Sequence, residues 1–552
     1  MENETTLSSY PLRAYQHVLT KCSDTSQSTT NHCLQQPHPY QRHTWHLQQV
    51  SDALLRRLYI HLYPPSIFAC CRINLNNFVS NMQAFQELKQ LSTIAFPMIL
   101  TGLILYGKSL ISMVFMGSLG KEILAGGSLS IGFGNITGYS VLFGLSMGME
   151  AISSQAYGAK QWLLLSISLQ RTIAILICIS VPISFLWLKV EPILVFFGQN
   201  PTIASIASTH LIFSLPDLVF HSILNPLKIY LRSQSITKPL MLSSFVALLF
   251  HAPINYVLVY KLQLGIRGVA IAGSLTNLNL LVSILLYLYV SPTLTKSWLG
   301  WSSLDCFREW RPILTLAIPS CLSVCLEWWW YEFMILCAGL LTHATESVAT
   351  MGILIQTTSL IYIFPSALAQ AVSTRVGNEL GANRPDRART STGIGLVCAV
   401  FIGFLAMLFT ILVRKYWGYA FTSDETIISL TAMALPVVGL CELGNCPQTT
   451  GCGVLRGSAR PSVGAVINLV SFYGVGLPLA VIMGIVLKMG LQGLWLGLLA
   501  AQLTCAIVMT FLVSKTDWIA EAQRAKELTG ADVEQLQREE ETTAPLLSTF
   551  EV

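Results

Sequence analysis

Apolar residues in this chain come in runs of about twenty, and they do not follow the period of an amphipathic helix or a strand. Continuous apolar runs recur from Leu91 to Val513, separated by short polar segments. Because an α-helix of roughly twenty residues crosses a bilayer, each run predicts one spanning helix. The pattern predicts an all-α polytopic membrane protein with twelve transmembrane helices. The predicted limits are 90–116, 123–149, 164–188, 203–225, 237–260, 266–290, 311–340, 346–371, 391–413, 427–452, 461–486 and 491–513.

The composition agrees with a membrane location. Hydrophobic residues make up 53% of the chain and charged residues 11%, against roughly 25% charged residues in soluble domains. Residues 1–86 are polar and lack an early apolar core. We therefore predict a largely disordered N-terminal region without a signal peptide, so that insertion begins with the first span.

The distribution of Lys and Arg orients the chain. Loops on one side of the predicted spans carry fourteen of these residues, and loops on the opposite side carry seven. Cytoplasmic loops are enriched in positive charge, which places the first set and both termini in the cytoplasm. The tail, 514–552, begins with a helical pattern and ends with three glutamates at 539–541 before Leu546 and Leu547. That ending resembles a sorting signal; plasma, vacuolar and Golgi or endosomal membranes all fit.

The second half of the chain repeats the first. Short motifs recur in the same order at separations of 222, 223, 224 and 225 positions, which chance would not maintain. The paired landmarks are Pro97 and Pro319, Gly158 and Gly381, Arg232 and Arg456, and Gly268 and Gly493. Six spans in each half make the halves parallel repeats. We predict an N-lobe (87–290), a polar linker (291–310) and a C-lobe (311–513) that rock about a central cleft.

The seventh span carries the most informative polar residues. Glu327 and Glu332 lie in an apolar stretch, where an unpaired carboxylate costs on the order of 3 kcal/mol and persists when it faces a wet cavity, a partner or a proton. Tyr331 shares the face of Glu327, and Trp328 can line a pocket through its ring face. Glu332 points about 140° away, so we expect it at the rim of any narrow cavity. The alternative for each carboxylate is a bond to a neighbouring helix.

The tenth span supplies a matching polar face. Glu442, Asn445 and Gln448 follow one another at helical spacing, and Pro447 lies among them. A proline frees backbone groups, and broken membrane helices tend to border cavities. We therefore expect a loosened helix at Pro447 and a polar surface directed toward the cleft.

The first half has its own polar residues in the corresponding helices. They are Lys108 in the first span and Asp217 and Asn225 in the fourth. Lys108 is interpreted either as a cavity cation or as a side chain that snorkels to the surface. His221 and His251 titrate near physiological pH, but a hydrogen-bonded structural histidine is the favoured interpretation.

Motifs for enzyme, metal or cofactor chemistry do not occur in the sequence. It contains no HExxH or GxSxG motif, and no His and Cys set with zinc spacing. Most of the fourteen cysteines lie in apolar regions and are predicted to be structural thiols. We predict no enzymatic activity, no cofactor, no metal and no nucleic-acid partner.

Four motifs resemble one family of membrane transporters. They are Gln-Ala-Tyr-Gly-Ala at 155–159, Cys-Leu-Glu-Trp-Trp at 325–329, Ser-Thr-Arg-Val-Gly-Asn-Glu-Leu-Gly-Ala at 373–382 and Gly-Val-Leu-Arg-Gly at 453–457. Over about 87–513 the chain resembles the multidrug and toxic compound extrusion (MATE) transporters, in particular the plant detoxification branch. The resemblance implies a V-shaped pair of six-helix lobes. It also implies export of organic cations, plant metabolites, hormones or organic acids in exchange for protons or sodium.

The same resemblance implies roles for individual residues. Glu327 matches the seventh-helix acid used for proton coupling, and Glu332 matches a second acid found in some eukaryotic members. Asn445 stands where the family commonly has Asp or Glu. Asn does not titrate, so the proton role either moves to Glu442 or rests on Glu327 alone. The first span contains no acid, which disfavours sodium coupling.

These observations predict a secondary active antiporter that exports an organic solute from the cytosol in exchange for protons. The expected partners are a small-molecule substrate, protons and membrane lipids, with the protein as a monomer. Two alternatives use the same scaffold. One is an exporter or channel for organic acids or other anions, and the other is a flippase for lipid-linked substrates.

Overall fold

The computed structural model describes residues 65–291, 297–298, 300, 305–341 and 343–530. The chain divides into two units, residues 1–81 and Met82–Val552. In the first unit, only the helical residues 65–81 lie within the described part. The predicted disorder of residues 1–64, most of the inter-lobe linker and the sorting signal after 530 fall outside it.

Almost all of the described residues are helical. The longer helices are α1 (Pro65–Ser118), α2 (121–158, in the pieces Lys121–Gly134, Asn135–Tyr139, Ser140–Ser146 and Gly148–Gly158), α3 (Trp162–Leu188), α4 (Pro201–Phe213 with Leu215–Ser233), α5 (Lys238–Lys261), α6 (Ile266–Val290), α7 (Arg311–Ala338), α8 (Ala344–Gly381), α9 (Pro385–Val413), α10 (Glu425–Gly457), α11 (Pro461–Val486), α12 (Gly490–Ser514) and α13 (Trp518–Thr529). Short helices occur at Val190–Phe196, Asp305–Phe307 and Trp417–Ala420.

Twelve of the described helices form the predicted spans. Ten single helices are long and apolar enough to cross a membrane, and the pair that makes up α4, bent by 49°, adds an eleventh. The remaining span is α2. Each of its pieces is shorter than a bilayer, because a wider, π-type turn at Asn135–Tyr139 and a tight turn at Met147 interrupt the helix. The prediction of an all-α membrane protein with two parallel six-helix lobes is confirmed.

Residues with left-handed backbone conformations mark the internal repeat. Lys160 and Asn383 have φ values of 62° and 56°, and Ser235 and Ala459 have φ values of 61° and 57°. These pairs are separated by 223 and 224 positions, the same separations as the sequence motifs beside them. Since few non-glycine residues adopt positive φ, the two lobes use the same strained turn after equivalent helices.

Several helices extend beyond the predicted spans at one end of the molecule. α2, α4, α8 and α10 end at Gly158, Ser233, Gly381 and Gly457, whereas hydropathy predicts ends at 149, 225, 371 and 452. The additional turns are rich in small and polar residues, which end an apolar run. They remain helical because they pack against one another between the lobes.

Three further differences from the sequence predictions concern helix ends and kinks. α1 begins at Pro65, well before the predicted start at 90. Pro447 does not open α10, which is continuous from Glu425 to Gly457. The irregular turn that borders the central cavity lies instead in α2, at Asn135–Tyr139. After the last span, α13 is amphipathic as expected, and it buries Trp518, Ala522 and Ala525 against α8 and α9.

Candidate transport site

A cavity of about 350 Å³ lies between the lobes. One wall is formed by α7 and α8 of the C-lobe, and the other by the irregular turn of α2 in the N-lobe. π-type turns inside helices often occur at functional sites because they redirect side chains and backbone groups. The lining residues are Asn135, Ile136, Glu327, Trp328, Trp329, Tyr331, Glu332, Ile355, Thr358, Ser359 and Tyr362.

Glu327 occupies the junction of this cavity with a smaller one. The smaller cavity, of about 30 Å³, is also lined by Glu327 and continues toward Gln370 and Arg456. The Glu327 carboxyl faces the Tyr362 hydroxyl, the Gln448 amide and the Arg456 guanidinium. The carboxyl is therefore neither directed into lipid nor sealed in an apolar seam, the two placements that would make a proton role impossible.

The four aromatic residues after Glu327 have different surroundings. Trp328 stacks on Phe143 of the N-lobe with ring centroids 5.9 Å apart, and the indole N–H of Trp329 donates to the Ile136 carbonyl at 3.3 Å. Tyr331 lines the cavity on the face of Glu327, as its spacing predicts. Trp330 is buried in the C-lobe core, 5.6 Å from the Phe472 ring. Three of the four rings thus form an aromatic wall, and the fourth anchors α7.

Glu332 also lines the larger cavity. Its position five residues after Glu327 places it roughly 7 Å further along the helix axis, and the cavity is wide enough to reach both. The Glu332 carboxylate lies near Gly132 of α2, with both oxygens 3.9 Å from the position that a Cβ on Gly132 would take. Glu332 therefore lies at the rim, between the lobes.

Glu442 and Asn445 are buried behind the wall of the cavity. Their side chains line neither cavity, and Asn445 Nδ2 donates to Glu442 Oε2 at 2.9 Å. Glu442 is near enough to Glu327 for the two charges to interact. In the described part of the chain, Glu442 Oε1 and both polar atoms of Gln448 have no hydrogen-bond partner. Glu442 Oε1 and the Gln448 amide are therefore free to accept or donate further hydrogen bonds near the two carboxylates.

The predicted N-lobe residues form a separate network inside that lobe. Lys108 Nζ donates to Asn277 Oδ1 at 2.9 Å, and Asn277 Nδ2 donates to Asp217 Oδ1 at 2.6 Å. Tyr139 also donates to Asp217 Oδ2 at 3.0 Å, and His221 Nε2 lies 3.2 Å from Asn277 Nδ2. Lys108 therefore does not snorkel to the surface, and it lines neither of the two cavities described above. Asp217 likewise lines neither of these cavities.

Asn225 and the two histidines also belong to the interior of the N-lobe. Asn225 is buried one turn after His221 on α4 and does not line the described cavities. His251 has both ring nitrogens engaged, with Ser112 Oγ at 3.0 Å and Thr276 Oγ1 at 2.7 Å. The structural interpretation of His251 agrees with these contacts.

Sequence reasoning missed three residues at the site. Tyr362 is a single tyrosine in an apolar stretch of α8, and nothing in its neighbourhood marks it. Arg456 was used as a loop charge, a repeat landmark and a motif residue but not as a site residue, although it lines the smaller cavity. Glu150 lies at the end of an apolar run, where a carboxylate resembles an ordinary helix terminus. The internal repeat could have identified Arg456 as a site residue. Arg456 is the counterpart of Arg232, and an arginine at either position needs a buried partner.

Comparison with known proteins places this geometry in a family. A family model described as MatE matches residues 97–257 and 319–482, once in each lobe. Protein DETOXIFICATION 48 of Arabidopsis thaliana is 55% identical over 457 residues, covering 83% of this chain and 86% of the relative. Protein DETOXIFICATION 49 of the same plant is 56% identical over 446 residues, covering 81% and 89%.

Solved structures give the same result. The eukaryotic MATE transporter AtDTX14 superposes with a TM-score of 0.78 at 31% identity, covering 81% of this chain and all of that one. The Vibrio cholerae MATE transporter VcmN in its bent form has a TM-score of 0.69 at 18% identity, covering 81% and 99%. The second likeness concerns the fold alone.

Proposed function

Because this chain belongs to the MATE family, as a multi-pass membrane transporter of the detoxification type, we propose that it exports an organic solute from the cytosol in exchange for protons. One observation carries the proposal. Glu327 opens on to the inter-lobe cavity and at the same time faces Arg456 and Gln448 inside the C-lobe. A carboxyl so placed can exchange a proton with the cavity and alter the packing behind it.

The lining of the cavity favours an organic cation with a flat apolar part. Indole and phenol faces attract cations, and the walls carry Trp328, Trp329 and Tyr331 beside Glu327 and Glu332. A volume of about 350 Å³ lies within the range of small-molecule sites. Among its described lining residues none is Lys or Arg, so a bound cation would meet only acidic and neutral groups.

Proton binding to Glu327 would release such a solute. Neutralising the carboxyl removes its attraction for the cation, and loss of the proton on the cytoplasmic side restores it. A difference of one pH unit supplies about 1.4 kcal/mol per proton. One or two protons therefore support modest uphill export, with Glu442 as the candidate for the second site.

A second candidate is export of an organic acid. Arg456 lines the smaller cavity and offers a guanidinium to a carboxylate. That cavity holds only about 30 Å³, so it would accept a carboxylate group, with the body of the solute in the larger one. A passive channel for anions would conduct without proton exchange, and a flippase would act on lipid-linked substrates.

Transport by purified protein in proteoliposomes tests the proposal. A pH gradient is imposed, and solute and proton fluxes are followed for a panel of organic amines, flavonoids, hormones and citrate. We expect exchange of an amine for protons, with Glu327→Gln abolishing it and Glu327→Asp retaining part. Glu425→Gln, an exposed position at the start of α10, is the matched control. Unchanged exchange in Glu327→Gln would reject the role of this carboxyl.

The orientation and the monomeric state are part of the same proposal. Both termini are expected in the cytoplasm, in a plasma, vacuolar or Golgi or endosomal membrane. Protease protection of a tag at each end tests the orientation, since both tags should be cleaved from the cytoplasmic side only. Light scattering of the purified protein tests the monomer.

A further inference from the structure

Two arginines at equivalent positions in the two lobes bind the same carboxylate. Arg232 Nη2 donates to Glu150 Oε1 at 2.8 Å, and Arg456 Nε donates to Glu150 Oε2 at 3.2 Å. Arg232 and Arg456 are 224 positions apart and end α4 and α10. The side chains of Arg232 and Glu150 are 3% and 2% exposed, and that of Arg456 is 15% exposed. One carboxylate of the N-lobe therefore joins the two lobes.

This ion cluster lies within a close contact between the lobes, here called the gate contact and formed by Gln155, Gly158, Asn378, Gly381 and Gly457. Gln155 Nε2 donates to the Gly457 carbonyl at 2.9 Å, and Asn378 Nδ2 donates to the Ser233 carbonyl at 3.1 Å. A Cβ on Gly158 would lie 2.1 Å from the Asn378 carbonyl oxygen. The lobes cannot separate at this end without breaking the bond between Glu150 and Arg456.

Arg456 also faces the proton site. It lines the smaller cavity together with Glu327 and Tyr362, and its charge interacts with both Glu150 and Glu327. From the other elements, Arg232 of α4 faces Glu150, and Tyr362 of α8 faces Glu327. The other groups near Glu327 are Glu442, Gln448 and Cys452 on α10 and Tyr331 on α7.

We propose that Arg456 transmits the charge of Glu327 to the gate contact, so that protonation of Glu327 favours opening of the lobes at this end. With Glu327 ionised, two arginines and two carboxylates balance. With Glu327 neutral, Glu150 alone faces two arginines, and one unpaired positive charge remains in a buried site. Buried charges are tolerated only when they are paired, so separation of the lobes relieves the imbalance.

This inference rests on the proposed function and adds the step that couples the proton to movement. The gate contact lies at the end that the Lys and Arg distribution places in the cytoplasm. A protonated carrier would therefore open where the proton leaves, whereas an empty, ionised carrier would stay closed there. Such an arrangement prevents the carrier from returning without its proton, which an antiporter requires.

Distances between nitroxide labels at positions 163 and 386 test the proposal. Leu163 and Asp386 are exposed, equivalent positions near the gate contact, in α3 and α9. Labels attached through a keto-bearing unnatural amino acid leave the native cysteines in place. In lipid nanodiscs without solute, the ratio of long to short distances should rise as pH falls from 8 to 6. The rise is limited to about tenfold per pH unit for one proton.

Charge variants separate the transmission step from simple damage. Glu327→Gln should show the long distance at both pH values. Adding Arg232→Gln removes the surplus positive charge and should restore the short distance, even though it also removes the inter-lobe hydrogen bond from Arg232 to Gln370; adding Arg232→Lys should not restore it. Arg384→Gln is the matched control in the same background, because Arg384 is 46% exposed and pairs with Glu379 within its own lobe. Arg456→Gln in the otherwise unchanged chain is a second test that does not depend on Arg232→Gln: it removes the inter-lobe bond to Glu150 and should show the long distance at both pH values.

The outcomes distinguish the two proposals. If Arg232→Gln does not restore the short distance, if Arg384→Gln restores it equally, or if Arg456→Gln alone keeps the pH-dependent short distance, the transmission through Arg456 is wrong. If Glu327→Gln loses proton exchange but keeps pH-dependent distances, the transmission fails and the proposed function stands. If Glu327→Gln still exchanges solute for protons, the proposed function itself is wrong.

Discussion

Asn445 donates a hydrogen bond to Glu442 at 2.9 Å, and the pair lies behind the wall that carries Glu327. A donor to one carboxylate oxygen stabilises the ionised form. The other oxygen of Glu442 has no hydrogen-bond partner among the described residues, so it is the atom that can take a proton. The Asn445 amide thus positions the Glu442 carboxylate behind the wall that carries Glu327.

Glu442→Gln should reduce proton-driven transport by at least about tenfold, equivalent to about 1.4 kcal/mol. The substitution keeps the volume and an acceptor for Asn445 but removes a titratable group close to Glu327. Initial rates in proteoliposomes at several pH gradients measure the effect. Glu425→Gln on the same helix is the control. A normal rate in Glu442→Gln would leave Glu327 as the sole proton carrier.

Glu332→Gln should raise KM for a cationic solute by roughly fivefold, since a partly exposed charge contact contributes about 1 kcal/mol. The dependence of the maximal rate on pH should be unchanged, because Glu332 lies at the rim and does not face Arg456. Concentration series at two pH values separate these effects. Glu122→Gln, an exposed carboxylate of α2, serves for comparison. A lost pH dependence would assign Glu332 a coupling role instead.

Gly158→Ala and Gly381→Ala should each prevent closure at the gate contact. The new Cβ atoms would lie 2.1 Å from the Asn378 carbonyl oxygen and 2.0 Å from that of Gln155, and such overpacking costs about 1–3 kcal/mol. Transport should fall, and the label distance between 163 and 386 should lengthen.

Gly393→Ala is the control for these variants, because a Cβ there meets nothing within 4 Å. This change in the helix α9 should be neutral or stabilising by up to about 1 kcal/mol. The unfolding temperature in detergent is measured for Gly158→Ala, Gly381→Ala and Gly393→Ala. Equal behaviour of Gly158→Ala and Gly393→Ala would contradict the close approach of the lobes.

Lys108→Met should destabilise the N-lobe by about 1–3 kcal/mol, because it removes the charged donor to Asn277 Oδ1 and one of the two lysines, Lys108 and Lys228, whose charges act on Asp217. Because the charges of Lys108 and Asp217 attract each other, the double variant with Asp217→Asn should be less destabilised than the sum of the two single variants. Unfolding temperatures of the four proteins give the interaction energy. Lys121→Met, an exposed position in α2, should have little effect. Strict additivity would show that Lys108 and Asp217 act independently.

The sequence alone determined the membrane architecture, since the information lies in local runs and in repeated motifs. A helix that is apolar over about twenty residues must span a bilayer whatever its neighbours are. The separations between Pro97 and Pro319 and between Gly158 and Gly381 gave the two parallel lobes directly. Glu327 was identified for the same reason, because a carboxylate at that depth needs a polar environment wherever the helix packs.

Only the tertiary structure decided which polar groups meet. Lys108 and Asp217 were expected near the cleft, but the rotation of their helices directs them into the N-lobe, toward Asn277. Glu150, Arg232 and Arg456 lie 82 and 224 positions apart in the chain and converge because equivalent helix ends meet between the lobes. Helical spacing fixes which residues share a face, whereas the partner of that face depends on packing between distant segments, which no local pattern encodes.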